Sequence, residues 1–324
     1  MKILYIGSPE TYILYKAGKV PSHWLYGAIE MENDGHTVYW EKGKITSILN
    51  DIRLLKSRKP DIIFIPNLNL KAHLLLLSLK SLGIIRTPIY AYIHHSPIAH
   101  NLISRLIYKF LYNGINHIFF LSEKSMYETI NGKFKKKEKC SMPYWGGDMD
   151  FYSKYRNSEN DGYFISTGKE NRDFDILIEA FSQTKEKLKI ITCRSHAGRD
   201  YSKLQDKCRN LSNIEVIITE NNGNVYPMMI KEMAKAKAIV CPLIKENLTY
   251  CVGLSTITDA EGLCKPLIIT ANPYHENKRT EKFNVVENIN EWVDAITNLK
   301  TDYTRNHDNI SNCYKNMKKI IFNN

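Results

Sequence analysis

The chain has 324 residues, 43% hydrophobic and 24% charged, which is enough apolar material for two ordinary cores and excludes a disordered polymer. Its 45 Lys and Arg outnumber 34 Asp and Glu for a net charge of +11, a surplus that favours anionic partners such as nucleic acid, an acidic membrane surface or phosphorylated ligands. Seven scattered cysteines with no CxxC pair argue against a disulfide framework and a zinc site, and point to reduced thiols in the cytoplasm.

Along the chain, apolar runs bounded by turn residues alternate with longer helical patterns, as in parallel-sheet α/β folds. Residues 2–6 read as a buried first strand, with an apolar stretch too short for a signal peptide. A helix is predicted over 24–33, closed by Asp34-Gly35, then a strand over 36–40 and an amphipathic helix over 45–56. Buried strands come next at 61–66 and 88–93, separated by a leucine-rich helix. That greasy segment, 74–85, is broken by Lys80 and is too short to span a bilayer. Residues 102–112 are helical, and 117–121 form a strand, with Ser122 capping the next helix.

At Lys133 a basic run begins, KFKKKEK, succeeded by a Pro- and Gly-bearing stretch over 142–148 and a polar one over 153–161. The domain boundary is placed there. The pattern then restarts: strands at 163–166, 188–192, 214–218, 238–242 and 267–270, with helices over 175–181 and 226–237, near Ser255, and over 290–299. The expected organisation is a first Rossmann-like domain over 1–152, a second over 153–302, and a C-terminal helix over 303–324 that packs back on the first domain.

Two loops in the second half carry the chemistry. In the first, the strand ending at Pro242 leads through a polar loop to Gly253, Leu254, Ser255 and Thr256, which open a helix. Small and hydroxyl residues there leave backbone N–H groups free, and with the positive helix end they make a seat for a diphosphate. Ser255 and Thr256 add hydroxyls, and Asp259, one turn in, is placed to accept from ribose hydroxyls. The same residues also suit a capped helix with no ligand. In the second loop, Gly168, Lys169 and Arg172 sit past the first strand of this half, where open α/β sheets bind ligands. Arg suits phosphate because its planar fork bonds two oxygens. Glu170 and Asp173 offer those cations a plainer role as ion-pair partners. Arg194 and Tyr226 lie on the same sheet edge.

In order, these segments resemble the donor half of GT-B glycosyltransferases, and are most similar to glycosyltransferase family four. His23-Trp24-Leu25, Gly35-His36-Thr37-Val38, Ser122-Glu123 and the stretch from Met142 to Asp148 agree with the amino half. The resemblance implies an α/β GT-B fold of two Rossmann-like domains facing a central cleft. It also implies transfer of a sugar from a nucleoside-diphosphate sugar to a glycan or lipid-linked acceptor, in bacterial surface polysaccharide synthesis. Lys169 and Arg172 match the family's diphosphate grip, Glu246 the carboxylate facing the donor sugar, and Asp259-Ala260 the ribose carboxylate. Glu246 and Asp259 are separated by twelve residues, a longer loop than the family has, so Glu261 is an alternative acid.

His94 and His95 come directly after the strand ending at 93, and His94 suits a general base for the acceptor hydroxyl. Cations and helix N–H groups stabilise departing diphosphate without a metal or cofactor. Asp148-Met-Asp150 has the form of a metal motif, but falls where the family has its linker. The basic run, with Arg105 and Lys109 on a helix bearing Leu106, Phe110 and Leu111, suits contact with an anionic membrane at the inner face of the cell. No basic recognition helix marks a nucleic-acid binder. Two other readings stand: a GT-B-like nucleotide-sugar epimerase, and a catalytically degenerate partner subunit.

Overall fold

The computed structural model describes residues 1–43, 48–220, 223–300 and 308–322. It divides into two compact units, Met1–Gly146 with Asp308–Asn324, and Gly147–His307.

In the first unit, β1 (Lys2–Gly7), β2 (Thr37–Lys42), β3 (Ile62–Ile65), β4 (Ile89–Ile93), β5 (His117–Phe120) and β6 (Cys140–Ser141) form a parallel sheet in the order β2-β1-β3-β4-β5-β6. β3, β4 and β5 are buried at every position, which is why they read as unbroken apolar runs instead of alternating ones. Helices Ile48–Arg58, Leu74–Ser81, Leu102–Asn113 and Glu123–Asn131 link successive strands. Ser122 holds the N-cap position of the last helix but makes no capping bond with its side chain.

The predicted helix over 24–33 does not form as one piece. Ser22–Leu25 is a 3-10 turn, Tyr26 and Gly27 take left-handed backbone (φ 52° and 88°), and the α-helix runs over Ala28–Asn33. Gly27, which takes a left-handed backbone without a Cβ penalty, marks the break. The C-terminal helix Ile310–Ile321 lies against this corner, with Met317 and Tyr314 atoms 3.5 Å from where a Gly27 Cβ would stand. Tyr314 and Lys318 also donate to Asp34 at 2.6 and 2.7 Å. Positions 303–307 and 323–324 of the predicted tail helix, and 45–47 of the predicted second helix, lie outside the described residues.

In the second unit, β7 (Tyr163–Thr167), β8 (Lys187–Cys193), β11 (Ile214–Thr219), β12 (Ala238–Cys241), β13 (Leu267–Thr270) and β14 (Asn284–Val286) form a second parallel sheet, ordered β11-β8-β7-β12-β13-β14. A short hairpin, β9 (Ser195–His196) and β10 (Arg199–Asp200), comes after β8. Alternate strand residues feed two cores: Ile165, Ile239, Cys241 and Ile269 on one face, Phe164, Ala238, Val240 and Ile268 on the other.

The second compact unit starts at Gly147, ahead of the boundary expected after 152. Helix Met149–Ser153 belongs to it, because Phe151 and Tyr152 enter its core. Tyr152 packs flat on Gly262, so closely that a Cβ there would lie 2.1 Å from the ring. Asp148 caps this helix by accepting from the Phe151 N–H at 3.0 Å, which gives the Asp-x-Asp pair a structural use. No helix among the described residues is long and apolar enough to cross a membrane. The seven cysteines are free thiols.

Candidate functional site

Open parallel sheets leave a crevice outside the carboxyl ends of their strands where the strand order reverses, because neighbouring connections depart to opposite faces. In the second sheet that point lies between β7 and β12. The loop after β7 turns through Gly168 (φ 101°) and Asn171 (φ 51°), and the loop after β12 carries Leu243, which pairs in a short bridge with Arg172. Gly168 is required twice over. Its backbone is left-handed, and a Cβ would lie 2.9 Å from the Arg172 guanidinium.

The helix Leu254–Leu263 starts at the same edge. Gly253 is its N-cap, left-handed at φ 92°, and no side chain caps this end. The turn therefore offers main-chain N–H groups and a positive helix end to whatever anion arrives. Ser255 is exposed, whereas Leu254 and Thr256 are buried.

Arg172, which the resemblance matches to a diphosphate grip, has a buried guanidinium: Nε donates to the Thr167 carbonyl at 3.3 Å, Nη1 to the Glu170 carbonyl at 2.8 Å, and Nη2 to Thr256 Oγ1 at 3.0 Å. It is a strut that holds the Gly168 loop against the helix start. The two loops thus converge, through a charged group turned inward. Lys169, half-buried, and Arg194, exposed past β8, are other cations of this edge. Glu170 accepts from Tyr250 at 3.0 Å and pairs with His196, a partner that no sequence pattern marks.

Asp259, which the resemblance matches to the ribose carboxylate, is buried, and its Oδ1 accepts from Tyr152 (2.6 Å) and Tyr226 (2.8 Å). Burial raises its pKa to about 6, against the lowering effect of the two phenols and Arg172. A raised value means the protonated form is favoured in the fold. The stability this provides is full below the ordinary value of 3.8 and lost as pH rises through about 6. Asp259→Asn keeps an acceptor for both phenols without a buried charge. It is expected to be more stable than the parent by about 3 kcal/mol at about pH 8, with the gain gone below about pH 4, as urea titrations at the two pH values will show.

Glu261, the alternative acid, is also unavailable. Arg279 donates to it from Nε (3.1 Å) and Nη2 (2.6 Å), and Lys282 from Nζ (2.9 Å), all inside the protein. Glu246 is exposed on the 3-10 turn Lys245–Asn247.

In the first sheet the order reverses between β1 and β3. A cavity of about 550 Å³ opens there, lined by Gly7, Ser8, Tyr26, Pro66, Asn69, His73 and His94 among others. Burial, and then the neighbouring His95, lower the His94 pKa to about 4, while a hydrogen bond to the Pro66 backbone opposes them. His94 Nε2 lies 3.1 Å from the Tyr26 hydroxyl. The imidazole is neutral at physiological pH, so it can accept a proton, although a weakly basic ring does so with little driving force. His73 Nδ1 donates to the Asn69 carbonyl at 2.8 Å, and its buried Nε2 has no partner among the described residues. Tyr26 and His73 belong to no motif that the sequence displays. The four-residue step from Asn69 to His73 is the signal available there.

No protein-family model and no curated protein matches the sequence. Solved structures do. The chain is similar to Anabaena Alr3699/HepE in complex with UDP (14% identity, TM-score 0.58, 98% of this chain and 95% of that one). It is similar to UDP-GlcNAc 2-epimerase from Neisseria meningitidis bound to UDP-GlcNAc (13%, TM-score 0.60, the whole of both chains). It is also similar to the E. coli trehalose-6-phosphate protein bound with UDP-2-fluoro glucose (8%, TM-score 0.59, 100% and 96%). At these identities the likeness is one of fold: an α/β GT-B fold built on two Rossmann-like sheets.

Proposed function

We propose that the chain is a glycosyltransferase, moving a sugar from a nucleoside-diphosphate sugar to a glycan or lipid-linked acceptor, in cytoplasmic synthesis of a surface polysaccharide. The observation that carries the proposal is the uncapped N-terminus of the helix Leu254–Leu263, braced by Arg172 against the Gly168 loop at the switch point of its sheet. Main-chain N–H groups of Gly253, Ser255 and Thr256 (that of Leu254 donates to the Cys251 carbonyl), the Ser255 hydroxyl and Lys169 seat the diphosphate, and the exposed Glu246 faces the donor sugar. These positive groups act without a bound cofactor. The cavity of the first unit takes the acceptor, with His94 on its wall. The UDP and UDP-sugars bound in the similar structures support a nucleotide-sugar ligand.

The test is thermal unfolding with UDP, GDP and their sugars. A ligand about 100-fold above its Kd stabilises the protein by about 2.7 kcal/mol, and one such nucleotide is expected to raise the melting temperature. If none does, the donor site is not where it has been placed.

Full-length likeness to a UDP-GlcNAc 2-epimerase favours a second reading, epimerisation of the nucleotide sugar itself. Incubation of UDP-GlcNAc without acceptor separates the two: an epimer supports the second reading, and sugar transfer that occurs only when an acceptor is added supports the first. Nucleotide binding with neither reaction indicates a partner subunit that has kept the fold and lost the chemistry.

A further inference from the structure

A helix at the surface of a globular unit normally turns its apolar side inward. The helix Leu102–Asn113 carries a second apolar side that faces out. Successive helical residues turn by about 100°, so Leu102, Leu106, Phe110, Ile103 and Ile107 share one side. They are 71, 58, 41, 71 and 47% exposed, while Leu111 and Tyr112 on the other side are buried. The helix is firmly built. An Asn101–Ser104 capping box fixes its start, and the Ser81 hydroxyl donates to the Phe110 carbonyl at 2.6 Å. Just beyond Ser81, Leu82 and Ile84 extend the apolar surface, at 64 and 62% exposure.

One border of this face is basic. Arg105 Nη2 donates to the Gly132 carbonyl at 3.2 Å, which brings the segment 133–139, with five lysines against one glutamate, alongside the helix. Lys109, Lys133, Lys136, Lys137 and Lys139 line a groove of about 730 Å³. Lys135 lines the groove as well, and its ammonium donates to the carbonyls of Tyr112 and Ile115, which fixes the segment in place.

We propose that this face docks the first unit onto an anionic lipid bilayer, with the five apolar side chains at the acyl boundary and the lysines on headgroup phosphates. Exposed leucine, isoleucine and phenylalanine on one helix beside a cationic groove suit an interface that is apolar below and negatively charged above. A water-facing surface would have no use for such a face.

The full chain is tested by flotation with vesicles of phosphatidylcholine alone and of equal parts phosphatidylcholine and phosphatidylglycerol, without any nucleotide sugar. Failure here would therefore leave the donor site unaffected. Binding to the mixed vesicles is expected, about tenfold weaker on phosphatidylcholine alone and weakened by salt. The Ile103→Gln/Leu106→Gln variant and the Lys136→Glu/Lys137→Glu variant should each lose about tenfold or more of that binding with unchanged melting temperature. The proposal is overturned if the parent chain fails to float with mixed vesicles, or if either variant floats as well as the parent. It is equally overturned if light scattering shows a dimer that the first variant dissolves while neither protein binds lipid, since the face would then belong to a second copy.

Discussion

Glu261→Gln is expected to lower the stability of the protein by about 4 kcal/mol at neutral pH, because it leaves two buried cations facing a neutral amide. Arg279 and Lys282 are 6% and 9% exposed in their side chains and both bond to this one carboxylate. Burial pushes Glu261 up, but the two cations together hold it below its ordinary value of 4.5. A lowered value makes the contribution of the carboxylate full above that ordinary range and lost as pH falls through the folded value. The difference between parent and variant should therefore be constant through neutral pH and close only in acid. Urea unfolding over a pH series measures it. Replacing Glu261, Arg279 and Lys282 together with methionine should recover most of the loss, since desolvation then falls away with the attraction. A loss under about 1 kcal/mol in the single variant would mean that solvent reaches the cluster. Activity per folded molecule is expected to be unchanged, which distinguishes a structural carboxylate from the alternative acid that the sequence offers.

Arg172→Met carries the second large effect, and it bears on function. Three acceptors lose a donor: the Thr167 carbonyl and Thr256 Oγ1 in buried bonds, and the Glu170 carbonyl in a part-buried one. At about 1 kcal/mol or more for each unsatisfied buried group, the expected cost is about 3 kcal/mol. UDP affinity of the folded fraction, measured by calorimetry, should fall by about tenfold or more, because the Gly168 loop and the turn 253–256 lose the strut that sets their spacing. Arg172→Lys should recover little of either, since a single ammonium cannot follow a planar fork to three separate acceptors. A variant that is destabilised yet binds UDP as the parent does would show that these loops are not the phosphate seat.

Much of the fold is legible in the sequence because its strands are buried on both sides. The runs at 62–65, 89–93, 118–120 and 267–269 are apolar without alternation, which a covered parallel sheet explains, and the turn residues after them mark the carboxyl edge of each sheet. Caps are less legible: Asp173, which reads as an ion-pair partner, accepts from the Ile176 N–H at 3.2 Å and caps its helix, whereas the Ser122 side chain makes no capping bond. The periodicity over 24–33 misleads, because the chain breaks at Tyr26 and Gly27, both left-handed, in a corner packed against Tyr314 and Met317 near the other end of the chain.

The site divides the same way. Sequence alone determined that Gly168, Arg172 and the Gly253–Thr256 stretch lie on loops at the carboxyl edge of one sheet, because strand periodicity and connection direction place every such loop on that edge. The work of each side chain there was decided only by tertiary structure. Arg172, Asp259 and Glu261 all read as ligand-facing charges, and all three are turned inward to Thr256, to Tyr152 and Tyr226, and to Arg279 and Lys282. Those partners stand from 18 to 107 residues away along the chain, so no local pattern could announce them. A charge in water and a charge in a protein interior have the same one-letter code, and it is the dielectric and the partners around it, not its spacing, that assign its work.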